Sequence, residues 1–492
     1  MTGNRTGGNQ TVLNINNKAT EIKREILIHI ARYQLEGILE KKLYALPRKM
    51  LPLHGTPFRC CVHHDREILS QRIIARLGHS IEDYDEEKQL SDYAAEALKR
   101  EKPTGPMLTV IDEACNACIR ACYMVTSACQ ACIARPCMTN CPKKSIHIQK
   151  GRALIDDAQC INCGICQKNC PFHAIIKIPV PCEEACPVNA ITKDEDGKET
   201  IDYNKCIFCG ACIRSCPFGA MVDKGQLVDV IRHIIEGKKV VALYAPAIAA
   251  QFRAAPGQLD AAFIRAGFHQ TFEVALGADI TAAKEALEFE ERMEQGDILM
   301  TTSCCPAYVR AIEIYVPELL PFISETRSPM HYSAERVKEA FPDCISVFVG
   351  PCLAKRKEGF DDPNVDYVLS AEEIGALFVA REIDVAACEP VLSQNQPTSS
   401  ARYFARSGGV AQAVQSRLTH PEKLKVRVIN GLDKAGMKAL KSYGRAASEN
   451  KEADANLVEV MACAGGCING PLVLTNPKTA GSQLQKYAES SS

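Results

Sequence analysis

Seventeen of the chain's 26 cysteines fall between Cys115 and Cys216, most of them two or three residues from the next. A disulfide scaffold of that density is normally short and secreted. This chain has 492 residues, and its opening segment, MTGNRTGGNQTVLNINNK, has no apolar signal core. Reduced thiols grouped in this way are metal ligands, and the expected compartment is reducing and cytoplasmic. Lys plus Arg is 58 against 59 for Asp plus Glu, which argues against a dedicated nucleic-acid binder. No apolar run approaches the ~20 residues that a membrane span needs, so neither nucleic acid nor membrane is expected as a partner.

The cysteines divide the chain into three regions. Residues 1–110 contain no ligand cluster. The stretches ATEIKREILIHIARYQLEGILEKKL and REILSQRIIARL repeat apolar residues at helical spacing, which predicts a small helical domain. Asp65 is the expected cap of the second helix and Gly78 its end. Cys60, Cys61, His63 and His64 lie together but have no second ligand group nearby, so buried thiols and surface histidines are the expectation there. Residues 111–225 alternate ligand runs with strand-like pieces such as SIHIQ and AIIKI. Their apolar content is too low for an independent core, so bound clusters are expected to hold them together. In residues 236–492 cysteines thin out. KVVALYAP, DILMTTS, CISVFVG, DYVLS and LVEVMAC read as buried strands separated by helical stretches such as ITAAKEALEFEERMEQ. This predicts an α/β domain with a parallel or mixed sheet between helices. No G-x-G-x-x-G follows any strand, so no nicotinamide or flavin site is indicated.

Cys160, Cys163, Cys166 and Cys170, before Pro171, spell C-x2-C-x2-C-x3-C-P; Cys206, Cys209, Cys212 and Cys216, before Pro217, spell it again. This is the bacterial ferredoxin run, whose fourth cysteine ligates the neighbouring [4Fe–4S] cluster. The middle region is therefore expected to be a ferredoxin-like α+β multi-cluster domain. A third run, Cys129, Cys132, Cys137 and Cys141 before Pro142, resembles those of the ferredoxin-like subunits of multi-subunit oxidoreductases. That resemblance implies one cluster on Cys129, Cys132, Cys137 and Cys170 and another on Cys160, Cys163, Cys166 and Cys141. A second pair is open: Cys206, Cys209, Cys212 with Cys186, and Cys115, Cys118, Cys182 with Cys216, which leaves Cys122 over. The conservative count is two or three clusters. In either case the region is a wire for single electrons that docks a small redox carrier.

Three further motifs sit just past strands of the last region: Thr302-Ser303-Cys304-Cys305-Pro306, Pro351-Cys352-Leu353-Ala354-Lys355 followed by Glu358, and Glu459-Val460-Met461-Ala462-Cys463-Ala464-Gly465-Gly466-Cys467. Their order and spacing resemble those of the [FeFe]-hydrogenases, over roughly residues 110–475. The resemblance implies that Cys305, Cys352, Cys463 and Cys467 bind the cubane of an H-cluster. Its two-iron subsite carries CO, cyanide and an azadithiolate bridge, and maturation enzymes insert it. It implies Lys355 beside the cyanides and Cys304 as the thiol that relays protons, followed by Glu285, Ser324, Glu288 and Arg292. Ala245 and Pro246, Ser328 and Met461 are the expected lining. The reaction implied is 2 H+ + 2 e− = H2, a ferredoxin hydrogenase activity with ferredoxin or a similar one-electron carrier as partner and no obligatory second subunit, so a monomer is plausible.

The motifs also depart from the family pattern. Gly350 stands where a Met usually precedes Pro-Cys, Asn469-Gly470-Pro471 replaces a glutamine-bearing tail, Tyr308 replaces a tryptophan and Met330 a glutamine. These departures are similar to the group B monomeric type. Three other readings compete: a low-turnover H2 or redox sensor, a Narf-like iron–sulfur assembly protein, and a plain electron-transfer subunit. Retention of Cys304, Lys355 and the relay carboxylates weighs against the assembly reading. The last 250 residues are superfluous to an electron-transfer subunit.

Overall fold

The computed structural model describes residues 16–116, 118, 122–391, 395–449, 451 and 453–490. The expected helical region is thus described from Asn16 onward, and residues 1–15 lie outside the described residues. No helix among the described residues is long and apolar enough to cross a membrane.

The buried strands expected in residues 236–492 form two parallel sheets rather than one. The first runs Gln270–Glu273, Val240–Tyr244, Ile345–Val349, Tyr367–Leu369. The second runs Met300–Thr301, Leu457–Met461, Val426–Asn430. Strands Val240–Tyr244 and Leu457–Met461 are buried at every position, as parallel strands covered on both faces must be. Gln270–Glu273 and Val426–Asn430 escaped the sequence reading because they are partly exposed edge strands with polar residues. The carboxyl ends of Val240–Tyr244, Met300–Thr301, Ile345–Val349 and Leu457–Met461 lead directly into the pocket segment and the three cysteine motifs. The two sheets thus deliver all of these residues to one place, as open α/β sheets deliver ligand sites.

The middle region consists of two ferredoxin-like units, one nested within the other. Strands Cys122–Val125 and Ile175–Ile178 close the inner unit around the hairpin Ile146–Gln149/Arg152–Ile155. Strands Leu108–Val110 and Met221–Asp223 close the outer unit around the hairpin Ile191–Lys193/Glu199–Ile201. The outer unit's cysteine run is therefore interrupted between Cys118 and Cys182 by the whole inner unit. That is why Cys115-x2-Cys118 and Cys182-x3-Cys186 look like orphans in the sequence.

Among the described residues the N-terminal region has five α-helices, Lys18–Leu35, Leu39–Lys42, Leu46–Met50, Val62–Arg76 and Leu90–Lys99, with one 3-10 turn at Leu43–Ala45. Asn17 caps the first by accepting the Thr20 N–H at 3.1 Å. Asp65 does not cap the second long helix. Cys61 holds the N-cap position, and the buried Asp65 carboxylate instead accepts the amides of Phe58 (2.5 Å) and Arg59 (3.2 Å). Gly78, at φ +92°, does end that helix. The region has no core of its own. Ile22, Ile26 and Ile30 share one core with Cys182, Cys216 and Met221, while Leu27 and Ala31 share another with Ile374 and Leu377.

A buried ionic cluster ties the three regions together. Asp223, fully buried, meets Arg76 Nη1 at 2.7 Å, Lys23 Nζ at 3.0 Å and Arg356 Nη2 at 3.1 Å. Burial works against its ionisation, but the three cations hold its carboxyl well below the usual range. Arg356 also pairs with buried Glu373, whose second oxygen accepts the Gln226 amide at 2.8 Å.

Candidate functional site

The cysteine loops are shaped to hold anionic sulfur. In three C-x2-C turns the residue before the second cysteine is left-handed: Ala131 (φ 50°), Asn162 (54°) and Phe208 (53°). That twist turns amides inward, and the N–H groups of Asn162 and Phe208 donate to Cys160 and Cys206 at 3.4 Å. A second left-handed residue follows the Cys-Pro steps at His173, Asn189 and Gly219. There Ala174, Ala190 and Ala220 donate to Cys170, Cys186 and Cys216 at 3.2–3.4 Å. Repeated N–H donors on sulfur favour the thiolate, so the donor set fits cluster ligation. Among the described residues no three such side chains close on a single ion. That is compatible with clusters, because sulfurs around one ion at ~2.3 Å must crowd far closer than sulfurs at the corners of an iron–sulfur cube.

Burial raises the thiols of Cys118, Cys137, Cys182 and Cys212, and the charges that add to it identify their neighbours. Around Cys212 lie Cys209, Cys206 and Cys186. Cys182 senses Cys216 and Cys118, and Cys118 senses Cys115. Cys137 senses Cys132 and Cys170. Cys141 shares a small cavity with Cys160, Cys163 and Cys166. Cys122 is buried in a strand. Cys60 and Cys61 are exposed rather than buried as expected; Cys60 Sγ lies 2.9 Å from His64 Nδ1, and His64 Nε2 lies 3.2 Å from a Glu113 carboxylate oxygen, a surface polar contact.

In the C-terminal domain, a cavity of ≈ 90 Å³ is lined by Cys304, Cys305, Cys352, Cys467 and Lys355, with Ala245, Pro246 and Met461 among its apolar walls. Cys463 is next to Cys352, Cys467 and Cys305, and it also senses Cys209 across the domain boundary. Four thiols are therefore grouped together, and Cys304, which lines the same cavity, has Glu285 as its foremost charged neighbour. Gly350 is explained by its neighbour: a Cβ there would meet the Phe348 ring at 2.5 Å, so the ring occupies the space. Ser328 is not a bystander in the wall. Its hydroxyl accepts from Lys355 Nζ at 2.9 Å and donates to Glu358, which also takes Lys355 Nζ at 2.6 Å. Burial alone would lower the Lys355 ammonium, but Glu358 with Cys352 and Cys304 raises it. It is a fixed, largely covered cation.

Glu358 was not placed in the site by the sequence, although it follows the second motif. It stands three residues after Lys355 on the helix Ala354–Asp361, the spacing at which opposite charges pair.

Glu285 is fully buried on the helix Ala275–Gln295. Burial pushes its carboxyl up to about 8, against a weak bond from the Ser303 amide at 3.4 Å. Its Oε2 has no hydrogen-bond partner among the described residues. Ser324 is within its reach and donates to Glu288 at 2.6 Å. Glu288 pairs with Arg292 at 2.9 Å, and Arg292 leads to Glu325, whose side chain is 90% exposed. Glu285, beside Cys304, is thus followed toward the surface by the bonded series Ser324, Glu288 and Arg292. A second cavity, ≈ 590 Å³, meets Ser324, Ser328 and Glu358 from the outside.

Residues 238–471 match the model of the iron only hydrogenase large subunit, C-terminal domain. Residues 181–220 match a 4Fe-4S dicluster domain and 153–176 a 4Fe-4S binding domain. Iron hydrogenase 1 of Clostridium pasteurianum is 29% identical over 260 residues, 44% of this chain and 45% of that protein. The chain thus spans under half the length of that relative. The periplasmic [Fe] hydrogenase large subunit of Nitratidesulfovibrio vulgaris is 29% identical over 64% of this chain and 85% of its own. The cytosolic iron-sulfur assembly component 3 of Mus musculus is 26% identical over 49% of this chain and 63% of its own.

Proposed function

We propose that this [FeFe]-hydrogenase-like chain, with its 4Fe-4S domains, interconverts protons and electrons with H2. The supporting observation is a single constellation. Four thiols are grouped together, a largely covered cation stands beside them, and a fifth thiol neighbours the carboxylate Glu285, from which Ser324, Glu288 and Arg292 lead outward. Cys305, Cys352, Cys463 and Cys467 would hold the cubane of the H-cluster, with Lys355 and Ser328 facing its two-iron side. When bound, the H-cluster supplies the redox iron and the basic bridge nitrogen between which H2 is made or split.

The chain's own residues supply charge, protons and dryness. Lys355, kept cationic by Glu358, gives anionic ligands a partner in a pocket too apolar to hold them otherwise. Cys304 exchanges a proton with the pocket on one side and with Glu285 on the other. Glu285, at about 8, both holds and releases a proton near neutral pH, as a relay group must. Ser324 passes the proton to Glu288, and the outer cavity brings water to Ser324.

Electrons would travel through the cysteine groups of residues 115–216, which we assign to four cubanes paired as above. The last step crosses where Gly210 meets Pro471 so closely that an added Cβ would lie 2.6 Å away. Arg214 clamps that crossing by donating to Asn469 O at 2.8 Å and Oδ1 at 2.7 Å.

Within this reading, ferredoxin or a similar carrier is the electron partner, maturation enzymes insert the subsite, and the compartment is cytoplasmic. The motif departures fit the group B monomeric type. Likeness to an iron–sulfur assembly component favours a second reading, in which the cubanes serve without two-iron chemistry. Infrared spectroscopy of protein matured anaerobically with the synthetic two-iron precursor separates the two. CO and cyanide bands support the hydrogenase; cubane iron without bands supports assembly.

A further inference from the structure

Residues 16–110 hold none of the proposed ligands. We infer that they set the reduction potential of the outer unit's cluster at Cys115, Cys118, Cys182 and Cys216, with Arg72 as the positioning charge. This inference rests on the proposed assignment of those four thiols to one cubane.

Two guanidinium groups from this region reach the two chain segments that carry half of those ligands. Arg72, on the helix Val62–Arg76, donates from Nη2 to the Phe218 carbonyl at 2.7 Å, two residues past Cys216. The approach depends on Gly219, where an added Cβ would meet Ala19 Cβ at 2.9 Å and Arg72 Nη2 at 3.3 Å. Arg59 donates to the Ala114 carbonyl at 2.8 Å, just before Cys115, and bonds Asn116 just after it. Its guanidinium also lies over the Phe218 ring, 5.0 Å from the centroid. Burial lowers Arg72 to about 10, so it is still cationic at neutral pH.

The inner unit provides an internal comparison, because it repeats the same Cys-Pro-Phe step. There Phe172 is 48% exposed, and His173 occupies the position of Gly219. Arg59 and Arg72 direct their bonds to the outer unit instead. Cys141 and Cys170, before the inner unit's Cys-Pro steps, are half-buried, whereas their outer counterparts Cys186 and Cys216 are buried in the core shared with Ile22, Ile26 and Ile30. The N-terminal helices therefore cover one unit and leave the other open.

Covering and charging act in opposite directions. Reduction adds an electron to an already anionic cluster, and removal from water disfavours the added charge. A buried cluster without counter-charge would be the hardest to reduce. Arg72 and Arg59 offset that and bring the covered cluster back toward its neighbours, so that electrons can pass through it.

The test is a potentiometric titration of the full holoprotein followed by EPR, comparing wild type with R72M, R72K and R59M at matched iron content. In R72M one cubane step moves to more negative potential. Its reduced-to-oxidised ratio at the wild-type midpoint falls at least tenfold, which is 59 mV for one electron. The other steps stay in place, and R72K keeps most of the wild-type value. R59M moves the same step in the same direction by less, and it carries the test if R72M fails to assemble. Full iron content with every step unmoved in both Met variants overturns the proposal. Undiminished cubane content in C182A would instead strike the ligand assignment itself.

Discussion

Replacing Glu285 by Gln separates the relay from the fold. In the folded chain the Glu285 carboxyl rises from 4.5 to about 8 because it is buried, with little hydrogen bonding to its charged form. At 1.36 kcal/mol per pH unit, that rise amounts to about 5 kcal/mol. The folded state binds this proton more tightly than the unfolded chain does. Its contribution to stability is therefore complete below pH 4.5, falls by about 1.4 kcal/mol per pH unit from there to about pH 8, and is lost above. Gln has the same shape and no proton to lose. The expected outcome is that E285Q is more stable than wild type by a margin that widens from pH 6 to pH 8 and then levels. The same variant should lose at least about 10²-fold in H2 evolution, the usual worth of a positioned proton-transfer group. Anaerobic denaturant unfolding across pH and dye-driven H2 evolution measure the two effects. A stability margin that is flat with pH refutes the buried-acid argument, and unimpaired turnover refutes the relay.

Three other substitutions test separate parts of the site. C304A should keep infrared bands of an assembled subsite while H2 evolution falls by at least about 10²-fold; loss of the bands would make Cys304 a structural residue. K355M should fail to retain the subsite while keeping the cubanes, because the pocket then has no cation and the half-buried Glu358 loses its partner; infrared bands at wild-type intensity would contradict this. R356M should destabilise the chain by about 3–5 kcal/mol, the cost of leaving the buried Asp223 and Glu373 with one cation fewer. Denaturant midpoints would measure it, and a change below about 1 kcal/mol would show the cluster to be redundant.

The local chemistry was easier to read from sequence than the long-range arrangement. Close spacing exposed the inner ferredoxin run, because all of its loops are contiguous. The outer unit was obscured, since 63 residues stand between Cys118 and Cys182 and only the pairing of Leu108–Val110 with Met221–Asp223 brings its ends together. The pocket motifs were legible because each follows a buried strand. That they come from two sheets was not, as Met300–Thr301 is only two residues long and Gln270–Glu273 and Val426–Asn430 lack the apolar run of a buried strand. Glu358 carried a helical-spacing signal that pointed to Lys355. The role of Ser328 carried none, because a hydroxyl that bridges an ion pair depends on three separate segments meeting. Neither could the sequence show that the N-terminal helices share their cores with both later regions, since an amphipathic pattern says that a face is buried but not against what.

The central claim is that this constellation makes and splits H2. The most direct measurement is isotope exchange under H2 in D2O, followed by mass spectrometry on the matured protein, because it needs no electron partner. HD release that is present in wild type and suppressed in C304A is the predicted result. Infrared bands of a fully assembled subsite with no HD above the level of the unmatured protein would contradict it.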